Sequence, residues 1–174
     1  MLCGLAAFQP GPNSGCAHST CQWRRNIKLG EYPELSFAAV LFSVFALPAF
    51  ATQVEVTYDT FYDNPSTSLN NVACSNGANG LLTKGFTTLG SLPSFPNVGG
   101  VPNVTWNSPL CGSCWELQYT TTGISESIYI TAIDAGFTFD LSLPAFNELT
   151  DNTGVPAGKV TATATQVAES YCGL

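Results

Sequence analysis

Four cysteines downstream of an apolar segment are the residues whose spacing points most directly to chemistry. Cys111-Gly112-Ser113-Cys114 places two thiols close together in sequence, and Cys74 and Cys172 flank them at a distance. In a reducing compartment such a pair carries out redox chemistry or binds zinc, whereas in an exported chain it forms disulfides. A thioredoxin-type context and further zinc ligands at zinc spacing are both absent from the sequence. We therefore expect disulfides and no metal site; four cysteines allow three pairings, and Cys111 and Cys114 are each expected to reach a distant partner.

The remaining reactive groups downstream of this segment are carboxylates. The one histidine, His18, lies near the amino terminus, so the rest of the chain has no imidazole for a Ser-His-Asp arrangement or a metal. Nucleotide-binding loops are missing as well, and no cofactor is predicted. From residue 52 onward ten carboxylates face only Lys84 and Lys159, a formal net charge of −8. This balance makes nucleic acid and anionic membrane surfaces poor partners.

The compartment is indicated by residues Leu35–Ala51, an uncharged stretch that ends in Ala49-Phe50-Ala51. Small residues at these positions are typical of a signal-peptidase site, so we expect cleavage after Ala51 and a secreted, extracellular or cell-wall protein. The alternative of a membrane anchor is disfavoured, because the run is short and Pro48 lies near its end. Met1–Glu34 is interpreted as a leader of unclear origin, such as a mis-extended translation start. Residues 52–174 remain as one domain of 123 residues.

Period-two alternation of apolar and polar residues predicts that this domain is mainly β. The predicted strands are Val54–Tyr58, Trp115–Tyr119, Ser127–Ile133 and Val160–Val167. Segments rich in Gly, Asn and Pro, including Ser91–Pro102, are interpreted as connecting loops. One helix is expected near Pro144, with Ser142 or Asp140 as its cap, and a second short helix around Ser68–Val72. Short strands joined by long loops favour a closed or half-closed barrel.

Ordered sequence blocks across this domain resemble the cerato-platanins, a family of small secreted fungal proteins. The blocks are Val56-Thr57-Tyr58-Asp59, Cys74-Ser75-Asn76-Gly77, Gly80-Leu81, Leu89–Pro93, Phe95–Gly100, Trp106-Asn107-Ser108, Cys111–Trp115, Ala132-Ile133-Asp134, Ala145-Phe146 and Gln166-Val167 with Cys172. The resemblance implies a six-stranded double-psi β-barrel with one or two short helices and the disulfides Cys74–Cys111 and Cys114–Cys172.

The resemblance also implies a function that is chiefly one of binding. Members of the family bind chitin oligomers, loosen polysaccharide networks in some cases, assemble at interfaces and elicit plant defences. The expected partners are therefore chitin oligomers or another cell-wall polysaccharide, a plant receptor, and further copies at an interface, without stable membrane insertion. Two alternatives stay open, a weak glycoside hydrolase and an interfacial surface protein.

Asp134 is the leading candidate for the site, because it follows a predicted strand and precedes a glycine-containing loop. By resemblance it matches the carboxylate that related inverting endoglucanases use as general acid. Its structural alternative is an aspartate that caps a turn. An inverting hydrolase needs a second carboxylate, for which Asp59, Asp63 and Asp140 are candidates by residue type. Since the family has no recognised base, non-catalytic binding is the preferred interpretation.

Neutral and aromatic side chains complete the predicted carbohydrate-binding site. Tyr58 and Trp106 are expected to offer surface rings to sugars, whereas Trp115 is expected in the core. Ser75, Asn76 and Asn79 follow or adjoin Cys74 in a turn-rich loop and are candidate donors to sugar hydroxyls, although the Asn-Gly steps also suit a plain turn. Asn103-Val104-Thr105 is a glycosylation sequon in a loop of an exported chain.

Two departures from the family pattern bear on ligand preference. Ala78-Asn79 stands where some relatives have an acidic residue and a histidine, and the stretch Ala135–Asp140 is shorter than in some of them. Both segments are expected to border the ligand groove.

Overall fold

The computed structural model describes residues 50–174, which form a closed six-stranded barrel. The predicted leader Met1–Glu34 and nearly all of the predicted signal segment lie outside the described residues. The strands are β1 (Thr52–Tyr58), β2 (Val98–Val101), β3 (Cys114–Thr121), β4 (Ile124–Ala135), β5 (Phe139–Leu141) and β6 (Val160–Val167). Their order around the barrel is β1-β5-β2-β4-β3-β6. The six-stranded barrel that the sequence blocks implied is therefore confirmed.

Two parallel pairings, β1 with β5 and β2 with β4, distinguish this barrel from a simple meander, and the other neighbours are antiparallel. The four strands predicted from alternation are all present, each within a few residues of its expected limits. The prediction of Ser91–Pro102 as a loop was wrong over Val98–Val101, which forms β2. The sequence Val-Gly-Gly-Val does not alternate, because this strand is buried along its whole length between β4 and β5.

The predicted helix α1 spans Leu143–Leu149 and is capped as expected by Ser142, whose Oγ accepts from the Ala145 N–H. Pro144 occupies the first turn, where its missing donor is not needed. Phe146 and Leu149 are fully buried and pack this helix against the barrel. The second helix predicted around Ser68–Val72 is a single 3₁₀ turn, Leu69–Asn71, with Ser68 as its cap.

Both disulfides implied by the resemblance are present. Cys74 is bonded to Cys111, and Cys114 at the start of β3 is bonded to Cys172 near the carboxyl terminus. The core is a continuous apolar cluster of buried aliphatic and aromatic side chains from the strands, α1 and the long connection after β1. Among the described residues, no helix is both long and apolar enough to cross a bilayer.

Candidate functional site

The register of four neighbouring strands aligns the leading candidate residues in one row. Thr57 of β1 pairs with Asp140 of β5, Asp140 pairs with Gly100 of β2, and Gly100 pairs with Asp134 of β4. Neighbouring strands lie about 4.8 Å apart, so the backbones of Asp140 and Asp134, two strands apart, are separated by roughly 10 Å. Gly100 contributes no side chain to the space between them. We refer to this row, which carries an aspartate on each side of Gly100, as the groove.

The hydroxyl of Tyr62 occupies the floor of this groove. Tyr62 belongs to the 3₁₀ turn Thr60–Asp63 that follows β1, and its hydroxyl donates to Asp134 Oδ2 at 3.3 Å. A Cβ atom at Gly100 would lie 3.3 Å from the same hydroxyl, so this glycine makes room for the tyrosine. Burial is the largest cause of the raised pKa of Tyr62, and the negative charges of Asp134 and Asp140 raise it further. The phenol therefore stays protonated as a hydrogen-bond donor.

Asp134 is held by hydrogen bonds on both carboxylate oxygens. Oδ1 accepts from the backbone N–H groups of Ala73 and Ala135, each at 2.8 Å, and Oδ2 accepts from Tyr62. The bond from Ala135, the next residue, is the turn-capping contact foreseen as the alternative role. The bond from Ala73 joins β4 to the segment leading to Cys74. This fixed geometry places a half-buried acceptor at the groove wall.

Asp140 has a different environment from Asp134. Its Oδ1 accepts from the Thr57 hydroxyl at 2.8 Å, and that hydroxyl also lies 3.2 Å from the hydroxyl of Thr138. Burial raises the pKa of Asp140, the Thr57 hydrogen bond opposes this shift, and the charges of Asp59 and Asp134 add to it. Three carboxylates thus influence one small region of the surface.

Asp59 and Asp63 serve the local backbone. Asp59 is exposed, and its Oδ1 accepts from the Phe61 N–H to cap the first 3₁₀ turn. Asp63 Oδ1 accepts from the Leu143 N–H at 2.7 Å and so anchors the start of α1. Both carboxylates therefore accept from backbone N–H groups of their own or a neighbouring element.

Two exposed phenylalanines that the sequence reasoning missed adjoin the groove. Phe61 lies beside Tyr62, with a ring-centroid separation of 5.4 Å in an edge-on arrangement, and is 41% exposed. Phe137 lies in the connection between Asp134 and Asp140 and is fully exposed. The signal in the sequence was an aromatic residue within Ala135–Asp140, the stretch expected to border the groove.

Tyr58, predicted as a surface ring, is half-buried and packs against Phe146 at 5.0 Å between centroids. Trp106 is 62% exposed, as expected, and its Nε1–H donates to Asn76 Oδ1 at 2.7 Å. Trp115 is half-buried against the core; its indole N–H donates to Ser113 Oγ, and its ring meets Phe139 edge-on. Of the two rings proposed as sugar platforms, only Trp106 is openly available.

The asparagine turn beside Cys74 forms a second polar group. Asn79 Nδ2 donates to the Asn107 carbonyl, and Asn107 Oδ1 accepts from the Asn79 N–H. Ser75 is buried, which removes it from the open surface, whereas Asn76 is exposed. Asn76 lies three positions after Ala73, which bonds to Asp134, so the two are at most about 11 Å apart along the chain. Asn76 and Trp106 therefore extend the rim near the groove.

The described residues contain no group of three His, Cys, Asp or Glu side chains placed to hold a metal ion. Asn103 is exposed in the turn after β2 and lies outside the groove row.

Comparison with known proteins gives consistent matches. The Cerato-platanin family model matches residues 54–174. Allergen Asp f 15 of Aspergillus fumigatus is 46% identical over 124 residues, which cover 70% of this chain and 78% of the allergen. The crystal structure of cerato-platanin 2 from M. perniciosa aligns with a TM-score of 0.67 and 42% identity, covering 71% of this chain and 100% of that one. The solution structure of the fungal elicitor Cerato-Platanin aligns with a TM-score of 0.60 and 39% identity, covering 68% and 96%.

Proposed function

The chain belongs to the cerato-platanin family, and from this premise we propose that it is a secreted, non-catalytic protein that binds chitin-like oligomers in the groove between Asp134 and Asp140. The observation that carries the proposal is the row Thr57–Asp140–Gly100–Asp134 with the Tyr62 hydroxyl on its floor. Carboxylates accept from sugar hydroxyls and N-acetyl N–H groups. Aromatic rings such as Phe61 and Phe137 offer apolar faces to sugar rings. The groove thus matches a neutral, hydroxyl-rich ligand.

Binding without cleavage is favoured by the geometry of Asp134. A general acid has to carry a proton to the glycosidic oxygen, but this carboxylate already accepts three hydrogen bonds. The proposed role of Asp134 is to accept from the ligand and to hold the rim together. A polysaccharide chain bound in the groove would be separated from the neighbouring chains of the cell wall. We propose this separation as the basis of wall loosening.

A hydrolytic activity is the second candidate, and one observation favours it. Burial raises the pKa of Asp140, which suits a proton donor better than the environment of Asp134 does. Release of reducing ends from chitin by wild type, abolished in Asp140→Ala, would establish this candidate in place of the binding role. Alanine is chosen because an asparagine there would create a glycosylation sequon with Ser142. We expect no release from either protein.

Recognition by plants is a further part of the proposal. One relative is described as a fungal elicitor, and another is an allergen. We propose that a plant receptor senses the exposed rim around Trp106 and Asn76. Assembly at interfaces is proposed to use the exposed rings of Phe61 and Phe137.

The test is a titration with chitin oligomers followed by backbone amide NMR shifts. We expect the largest shifts at Gly100, Asp134 and Asp140, and an affinity loss of about tenfold, or 1.4 kcal/mol, in Asp134→Asn. Glu126→Gln is the matched control, because Glu126 is exposed in β4 and the substitution removes one negative charge without creating a glycosylation sequon. Unchanged amides in the groove at saturating oligomer would reject the assignment.

A further inference from the structure

A small apolar cavity lies at one end of the barrel, separate from the row of groove residues. It measures about 220 Å³, and its walls come from five of the six strands and the turn after β2. Its lining includes Val54, Val101, Trp115, Phe139, Ala164 and, in the turn, Asn103. Trp115 is fixed by its hydrogen bond to Ser113 and by its edge-on contact with Phe139. The cavity therefore presents a rigid aromatic wall.

The glycosylation sequon lies at the edge of this cavity. The Val104 N–H donates to the Val101 carbonyl, so residues 101–104 form a β-turn with Pro102 and Asn103 at its centre. Asn103 has φ of 66°, a left-handed conformation that asparagine tolerates in the third position of a type II turn. Asn103 and Thr105 are exposed, whereas Val104 between them is buried. The acceptor amide and the hydroxyl of the sequon are thus both accessible.

We propose that Asn103 carries an N-linked glycan whose first N-acetylglucosamine covers the apolar cavity beside Trp115. Asn103 itself lines the cavity, so a sugar attached to its amide is tethered at the cavity entrance. The apolar face of the sugar and its acetyl methyl group suit the Trp115 wall, while its hydroxyls remain in water. An uncovered apolar cavity would otherwise stay exposed to solvent at this end of the barrel.

The attachment is a simple group transfer during export. The donor is an oligosaccharide bound to a lipid diphosphate. The Asn103 amide nitrogen forms a bond to the anomeric carbon as the bond from that carbon to the diphosphate oxygen breaks. The amide loses one proton to a general base, the lipid diphosphate leaves with the bonding electrons, and nothing is oxidised or reduced. The inference depends on export but not on the carbohydrate-binding role of the groove.

The experiment uses the full chain secreted from a fungal host. Intact mass and peptide mapping are compared for wild type, Thr105→Ser, which keeps the sequon, and Thr105→Val, which removes it. We expect a glycan on Asn103 in the first two proteins and none in the third. An unmodified Asn103 in secreted wild type would overturn the proposal.

Two enzymatic trims then test whether the first sugar covers the cavity. An endoglycosidase that leaves one N-acetylglucosamine is compared with an amidase that removes the whole glycan and converts Asn103 to aspartate. In a Trp106→Phe background, we expect a red shift of tryptophan emission and greater binding of an apolar dye only after complete removal. An Asn103→Asp protein, which never carried the sugar, should match the amidase product. Equal emission and dye binding after both trims would show that the sugar does not cover the cavity and would overturn that part of the proposal.

Discussion

Asp140 carries an electrostatic cost within the groove. Burial raises its pKa most, and the charges of Asp59 and Asp134 raise it further, although Thr57 donates a hydrogen bond to it. A folded-state pKa above the unfolded value means that ionisation of this group opposes folding. The neutral carboxyl makes its full contribution to folding stability below the unfolded pKa, which is about 3.9 for aspartate. This contribution is lost as the pH rises through the folded pKa.

We therefore expect Asp140→Asn to melt at a higher temperature than wild type at neutral pH. The amide oxygen can still accept from Thr57, but it carries no charge to repel Asp59 and Asp134. The difference should shrink as the pH falls below the ordinary carboxyl range, because wild-type Asp140 is then also neutral. Thermal unfolding across this pH range checks the prediction, with Glu126→Gln as control. The proteins are made in a bacterial periplasm, which forms disulfides but lacks N-glycosylation, because Asp140→Asn creates an N-x-Ser sequon with Ser142. A variant that melts below wild type at neutral pH would contradict the prediction.

Asp134 shows what could be predicted about the site from residues alone. Its place after a predicted strand and before a glycine-containing loop identified it as a candidate. The bond from the Ala135 N–H matches the structural role considered for it, whereas its role in ligand binding stays a prediction. Tyr62 and Gly100 were not predicted in the site. Their contribution depends on strand register and on a 3₁₀ turn that folds back over β2, and neither is encoded in local spacing.

The strands themselves divide into predictable and unpredictable elements for a physical reason. The long strand β6 alternates between more and less buried positions around Ala162 and Ala164, so its sequence carries the period of two. β2 and β5 have four and three residues, and β2 contains two glycines where neighbouring backbones approach closely. Their strand identity is imposed by the partners on both sides, which sequence alone does not reveal.

The two glycines of β2 should respond very differently to substitution. A Cβ at Gly99 would collide with the backbone carbonyl oxygen of Asp140, whereas one at Gly100 would lie 3.1 Å from the Ala135 carbonyl oxygen and 3.3 Å from the Tyr62 hydroxyl. We expect Gly99→Ala to cost more than about 3 kcal/mol, beyond ordinary overpacking, and Gly100→Ala to cost about 1 kcal/mol while weakening oligomer binding. Urea unfolding of both variants checks the order; equal losses would refute it.

At the scale of the whole molecule, cross-links compensate for a surface with little charge pairing. The described residues contain two ion pairs, Lys84 with Glu169 and Lys159 with Glu55, all partly solvent-exposed. Exposed pairs contribute at most about 1 kcal/mol each. Beyond residue 51, eight of the ten carboxylates therefore have no lysine partner, so mutual repulsion opposes compaction. The two disulfides limit the expansion that this repulsion would favour in the unfolded chain.

Replacing both cysteines of one disulfide should lower the free energy of unfolding by a similar amount for either disulfide. The bridges join residues 37 and 58 positions apart. Chain entropy depends only logarithmically on loop length, so each bridge should contribute about 4 kcal/mol. We expect Cys74→Ala with Cys111→Ala, and Cys114→Ala with Cys172→Ala, to lose stability within about 1 kcal/mol of one another, because all four cysteines are buried and leave similar small cavities.

Urea unfolding of the two paired variants by linear extrapolation gives both free energies. Hydrogen exchange separates this global loss of stability from local fraying near the carboxyl terminus. Cys172 ends the 3₁₀ turn Glu169–Cys172, and Tyr171 in this turn stacks on Tyr129 at 5.1 Å between ring centroids. That turn should lose protection only when Cys114 and Cys172 are replaced. If one pair costs several kcal/mol more than the other, native-state packing around that bridge, and not the entropy of the unfolded chain, sets its contribution.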